Sequence, residues 1–131
     1  MRKELFKWDS GQKPVSDWTD YSATSTIVGW SSFTTKHIYY KRIGKLVFVA
    51  FFLDGTSNAT TASFTLPYAL AAAPAIQTPC RTRDNTGSRD TGALTITSAT
   101  STVNLQPTAS SVTWTASGTK EARGQFWYVA A

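Results

Sequence analysis

Eight carboxylates are the first candidates for chemistry: Glu4, Asp9, Asp17, Asp20, Asp54, Asp84, Asp90 and Glu121. Glycoside hydrolysis needs two carboxyl groups facing each other across a cleft. Four of the eight fall in the first twenty residues, and Asp84 with Asp90 is the nearby pair in the rest of the chain. Arg81, Arg83 and Arg89 flank that pair, so it reads as a salt-bridged loop rather than a catalytic dyad. The one histidine, His37, sits in a strand pattern beside Ile38 and reads as a packed or surface imidazole. The one cysteine, Cys80, follows Pro79 and has no histidine near it in sequence to activate a thiolate. A single His and a single Cys cannot complete a zinc site from soft ligands. The run "DNTGSRD" lacks the terminal acidic ligand of a calcium loop and carries Arg89 inside it, so it reads as a turn. The sequence points away from catalysis, from a metal centre and from any cofactor.

Binding residues are more plentiful. Five tryptophans, Trp8, Trp18, Trp30, Trp114 and Trp127, are candidate sugar-stacking platforms. Trp30 and Trp127 lie inside strand patterns and read as core, whereas Trp114 is followed by the loop-like "TASGTKEARG". The formal charge of +5 permits an anionic partner without requiring one. "HIYYKR" interleaves aromatic and basic residues as single-stranded nucleic-acid binders do, but its charges flank a hairpin turn, where exposure is expected anyway.

The elements that position these residues are strands. Ser and Thr are abundant while Leu and Glu are scarce, which disfavours helices. The 131 residues suit one domain. A lone cysteine allows no disulfide within the chain, and neither a signal-peptide core nor a membrane span is recognisable, so synthesis in the cytoplasm is expected. Residues 1–20 show no strand period and read as an extended arm, in which the spaced apolar residues Phe6, Trp8 and Trp18 suit docking into grooves of a neighbour. Strands are expected from Thr24 to Trp30, on either side of a turn at Arg42-Ile43-Gly44-Lys45, at "SFTLPYA", near Ile76 to Arg83, twice within "ALTITSATSTVNLQP", at "SVTWTASG" and at "GQFWYVA". Eight or nine short strands of this kind fit an all-β, antiparallel, jelly-roll-like sandwich over residues 21–131.

One strand raises a question of its own. From Leu46 to Leu53 both alternating sets are apolar, so both faces need cover. Burying a Val, Leu or Phe side chain is worth about 1.5–3 kcal/mol. Leaving Val47, Val49, Phe51 and Leu53 wet would therefore forgo roughly 6–12 kcal/mol, against about 5–15 for a whole domain. Cover by another part of the chain or by other subunits would answer the need. "FWYV" is apolar on both sides too, so Val47, Val49, Phe51, Leu53, Phe126 and Tyr128 are the expected subunit interface.

The stretch from Trp18 to Ala69, with "YKRIGKLVFVAFFLDGTSN" and "SFTLP" inside it, and the closing "WTASGTKEARGQFWYVA" resemble a module of tailed-bacteriophage and prophage structural proteins, often found at the end of tail fibres. The resemblance implies a β-sandwich head, usually homotrimeric, that belongs to a virion and meets a host surface; it carries over no catalytic residue. The expected roles are assembly and attachment, with a head decoration, a capsid fibre or a stand-alone carbohydrate-binding module as alternatives. An acidic host-surface glycan would be bound by a distal edge of Arg81, Arg83, Asp84, Arg89, Asp90, Trp114 and Lys120, and the arm would join other virion proteins.

Overall fold

The computed structural model describes residues 17–72, 74–85 and 87–131. Its elements are β1 (Thr19–Asp20), β2 (Ile27–Val28), β3 (Trp30–Ile43), β4 (Leu46–Ser57), β5 (Ser63–Thr65), β6 (Ile76–Asp84), β7 (Asp90–Ile96), β8 (Thr102–Gln106) and β9 (Thr119–Val129), with no helix among the described residues. Hydrogen bonding joins the nine strands in the order β1-β3-β4-β9-β6-β7-β8-β5-β2, and every named pairing is antiparallel. The turn of the β3–β4 hairpin is closed at Gly44, whose φ of 60° suits a residue without a side chain.

The sheet curls on itself, and the chain path requires it. β2 ends the strand order at one side, β3 is second from the other, and only Gly29 separates them in sequence. Gly29 has φ 113°, and a Cβ there would collide with the Thr61 carbonyl oxygen, so the crossing needs glycine. Across the curl Phe51 of β4 meets Phe64 of β5 at 5.0 Å between ring centroids, although several strands lie between them in the sheet. Trp30, Ile38, Leu94, Ile96, Val103 and Leu105 join the same core.

β4 answers the question of its two faces. Its residues alternate strictly between half-buried and buried through Leu53. The inward set is Val47, Val49, Phe51 and Leu53, and from the neighbouring β9 Phe126 and Tyr128 point the same way. These six were expected between subunits, but the chain's own sheet already encloses them: Phe126 packs on Phe51, and the Tyr128 hydroxyl donates to the Tyr68 carbonyl at 2.9 Å. The half-buried set is Leu46, Phe48, Ala50 and Phe52.

Three boundaries also move. The sheet reaches back to Thr19 and Asp20, which pair with Tyr40 and Tyr39 inside the expected arm. The expected strand at "SVTWTASG" is instead a connection, anchored where Trp114 donates its backbone N–H to Thr60 and its indole N–H to Leu105. The final strand starts at Thr119, five residues before "GQFWYVA".

Candidate functional site

The outer surface of β3, β4, β9 and β6 is a ladder of rows set by strand register. At the hairpin end Ile43, Leu46 and Val129 lie side by side, then Lys41, Phe48 and Trp127, then Tyr39, Ala50 and Gln125. Farther along come His37, Phe52, Arg123 and Arg81, and last Thr35, Asp54, Glu121 and Arg83. One face therefore grades from apolar to charged.

At the charged end Glu121 is buried, held by Arg89 at 3.1 Å and Arg123 at 3.6 Å, both arginines remaining part-exposed. Arg123 also lies over the Phe52 ring, 4.8 Å from its centroid. Asp54 stands opposite Glu121, and burial together with that neighbouring charge raises its pKa. Sequence spacing could not reveal this carboxylate pair, because the two residues lie far apart in the chain and only the β4–β9 register joins them. The adjoining grooves are lined by arginines: Arg81, Arg89, Asp90 and Thr91 border one, and Arg81, Arg83 and Arg89 the other. Arg81 stands directly opposite Arg123 and has no ion-pair partner among the described residues.

The two loop aspartates are used by the backbone rather than by arginines. Asp84 accepts from the Thr115 N–H at 3.0 Å and from its hydroxyl at 3.1 Å, and Asp90 accepts from the Thr91 N–H at 2.7 Å. Arg83 donates to the Gly87 carbonyl at 3.2 Å. Of the expected distal edge, Arg81, Arg83, Arg89 and Asp90 share a surface.

Trp114 and Lys120 do not belong to it, because both are fully buried. The Lys120 ammonium donates to the carbonyls of Gly29, Ala59 and Thr61 at 2.9, 2.9 and 3.0 Å. The Trp30 and Trp114 rings flank it at 5.3 Å each. Burial lowers its pKa to about 8. This is an internal cation tying loops to β9, with no access for a ligand. Cys80 is likewise buried, and burial raises its thiol to about 11, far from nucleophilic character.

Trp127, expected in the core, is 60% exposed on the apolar part of the outer face. Trp18 is 43% exposed and sits on the same face with Lys41 Nζ 5.4 Å from its ring. It borders two grooves, one with Phe48, Gln125 and Trp127, the other with His37, Tyr39 and Phe52. Phe6 and Trp8, the other expected arm anchors, lie outside the described residues. A further cleft opens where β6 and β9 part: they pair only from Arg81–Asp84 against Lys120–Arg123. Beyond that, Ile76 and Thr78 on one side face Phe126 and Tyr128 on the other across about 580 Å³, with Leu70 and Pro74 at the end.

Comparison with family models, with curated proteins and with solved structures finds no match to the chain. The class rests on the all-β antiparallel fold and on a surface with an arginine end and an aromatic end.

Proposed function

We propose that the chain is a bacteriophage virion structural protein: a sandwich-like, non-enzymatic head of the tail-fibre type that assembles as a homotrimer and attaches to an acidic glycan on the host surface. The virion role rests on the sequence resemblance, and attachment rests on one observation: Arg81, which has no ion-pair partner among the described residues, stands opposite Arg123 beside the arginine-lined grooves. Like charges directly opposite each other cost a sheet stability. A carboxylate or sulfate seated between them offsets that cost and accepts the paired N–H groups of a guanidinium. Each contact is weak, and three copies on one particle would multiply it.

Replacing Arg81 and Arg83 by Ala tests this, because neither holds Glu121. Retention on a sulfated polysaccharide and binding to host cells should both fall on the order of tenfold, from loss of charge-assisted hydrogen bonds, at unchanged mass and melting temperature. Equal binding by the double variant rejects the location. A wild-type protein that binds neither probe points to the architectural alternative, a head decoration or capsid fibre.

A further inference from the structure

The cleft between β6 and β9 is bounded by backbone as well as by side chains, and neighbouring hydrogen bonds give the direction of that backbone. The Ala130 N–H, continuing the β4–β9 register, donates to the Lys45 carbonyl at 2.8 Å. On the other side of β9, the Thr119 and Val129 carbonyls accept from the N–H groups of Asn85 at 2.6 Å and Ala71 at 2.9 Å. Even-numbered residues of β9 therefore turn their N–H and C=O toward β4, and odd-numbered ones toward β6. Gln125 and Trp127 direct both groups into the cleft, where neither has a backbone partner among the described residues. The β6–β9 register, carried on from Arg81 opposite Arg123, would set Pro79 against Gln125 and Gln77 against Trp127. Pro79 has no N–H to give, so the first of those pairs could not complete its bonds. The strands are still close at Gly124, where an added Cβ would lie 3.3 Å from the Cys80 Cβ, and at the far end Ala71 closes on Val129. Residues 125–128 between these ends span about 13 Å of extended chain.

We propose that this cleft is a strand-addition site, which takes a short extended peptide of another protein, apolar at alternate positions, paired antiparallel with Gln125 and Trp127 of β9. N–H and C=O groups presented together at every second residue are the complement of another extended backbone, and each such position exchanges two hydrogen bonds with the residue opposite. Gln77 and Pro79 share the parity of Asn85 and so face the same space from β6. The floor sets the side chains of the guest. Phe126 and Tyr128 point inward, with Leu70, Ile76 and Thr78 beside them, so alternate guest residues enter an apolar bed while the others emerge next to Gln125 and Trp127. An apolar small molecule could occupy the 580 Å³ of the cleft but would leave the backbone groups of Gln125 and Trp127 unmet. None of Arg81, Arg83 and Arg89 lines this cleft, so the proposal stands apart from glycan attachment at the arginine grooves.

Amide hydrogen exchange in the full chain tests it, with an acetylated and amidated peptide of alternating valine and threonine between terminal lysines as the probe. Without peptide, the Gln125 and Trp127 amides should exchange roughly tenfold or more faster than those of Phe126 and Tyr128, which serve β4, and the peptide at millimolar concentration should slow the first two by a similar factor. With the valines inward, the threonine N–H groups face β9, so N-methylation of the threonines should abolish that protection. Gln125→Pro removes a cleft-facing N–H and no bond to β4, and should weaken peptide binding about tenfold in a protein that keeps its fold. Protection that survives methylation of the threonines and, separately, of the valines assigns the cleft to any apolar ligand and overturns strand addition. Gln125 and Trp127 amides already protected without peptide mean that the chain covers its own edge, and protection that grows with protein concentration alone means that a second copy does; either result overturns the proposal. So does a peptide that leaves both amides exchanging freely.

Discussion

Lys120 is the residue that does most to close the molecule at its charged end. It joins three carbonyls from the β2–β3 crossing and the loop before β5; an alkyl side chain in its place removes a charged donor from each, with Gly29 keeping the Asn58 N–H and Ala59 the Ser57 hydroxyl. Lys120→Met should therefore cost about 2–5 kcal/mol, measured by urea unfolding near neutral pH. The pH dependence is a second readout. The folded pKa of about 8 lies below the ordinary 10.5, so between these values the unfolded chain binds the extra proton and stability rises with pH. Burial acts oppositely on Cys80, which moves from 9.0 to about 11; its contribution is present below pH 9 and is lost as pH rises through 11. With Cys80 replaced by Ala to remove the opposing thiol term, stability should rise from about pH 7.5 to 9 in the protein that keeps Lys120 and stay flat in Lys120→Met. A flat profile with Lys120 present in that background would refute the depressed pKa. Neither this lysine nor Trp114 could be placed from sequence, because "TASGTKEARG" is polar and its burial arises from carbonyls contributed by residues about sixty and ninety positions earlier.

At the scale of elements, strand identity was legible and strand facing was not. The β3–β4 hairpin, its Gly44 turn, β6 and the β7–β8 pair follow from alternation and turn residues. Both sets of β4 are apolar, so β4 alone carries no signal for which side is inside. β9 does carry one: Glu121, Arg123 and Gln125 are polar at alternate positions, and extending that period to Trp127 and Val129 places them outward and Phe126 and Tyr128 inward. A strand taken to begin at Gly124 excludes Glu121 and Arg123 and so loses that signal. The sheet's curl was also hidden, since it depends on one residue. Gly29→Ala puts a methyl group against the Thr61 carbonyl and forces an unfavourable φ, at a cost of about 2–4 kcal/mol in thermal or chemical unfolding. A neutral Gly29→Ala variant would mean that the β2–β3 crossing is looser than drawn. Gly44→Ala is the control: its turn is open to solvent, with no atom near the added Cβ, so only the smaller backbone penalty applies.

For the whole molecule, the inward placement of Phe51 changes what a subunit interface can be. A core closed within one chain leaves assembly to the outside, where Val28 and Val112 are the exposed apolar residues away from the Trp18 face. The proposed trimer should have three times the 14.3 kDa chain mass by light scattering, and Val112→Glu is the substitution expected to reduce that mass while the fold survives. Phe51→Arg should behave differently. Its ring lies 5.0 Å from Phe64 and 6.3 Å from Phe126, so the guanidinium would enter the core without a carboxylate partner. An uncompensated buried charge costs about 3–5 kcal/mol, before the lost ring packing is counted. Circular dichroism should therefore show the β signal lost or melting far below wild type, with no folded monomer released from the trimer. A folded Phe51→Arg monomer of native melting temperature would return Phe51 to the subunit interface, whereas a monomeric wild-type protein would end the trimer proposal and favour a stand-alone binding module.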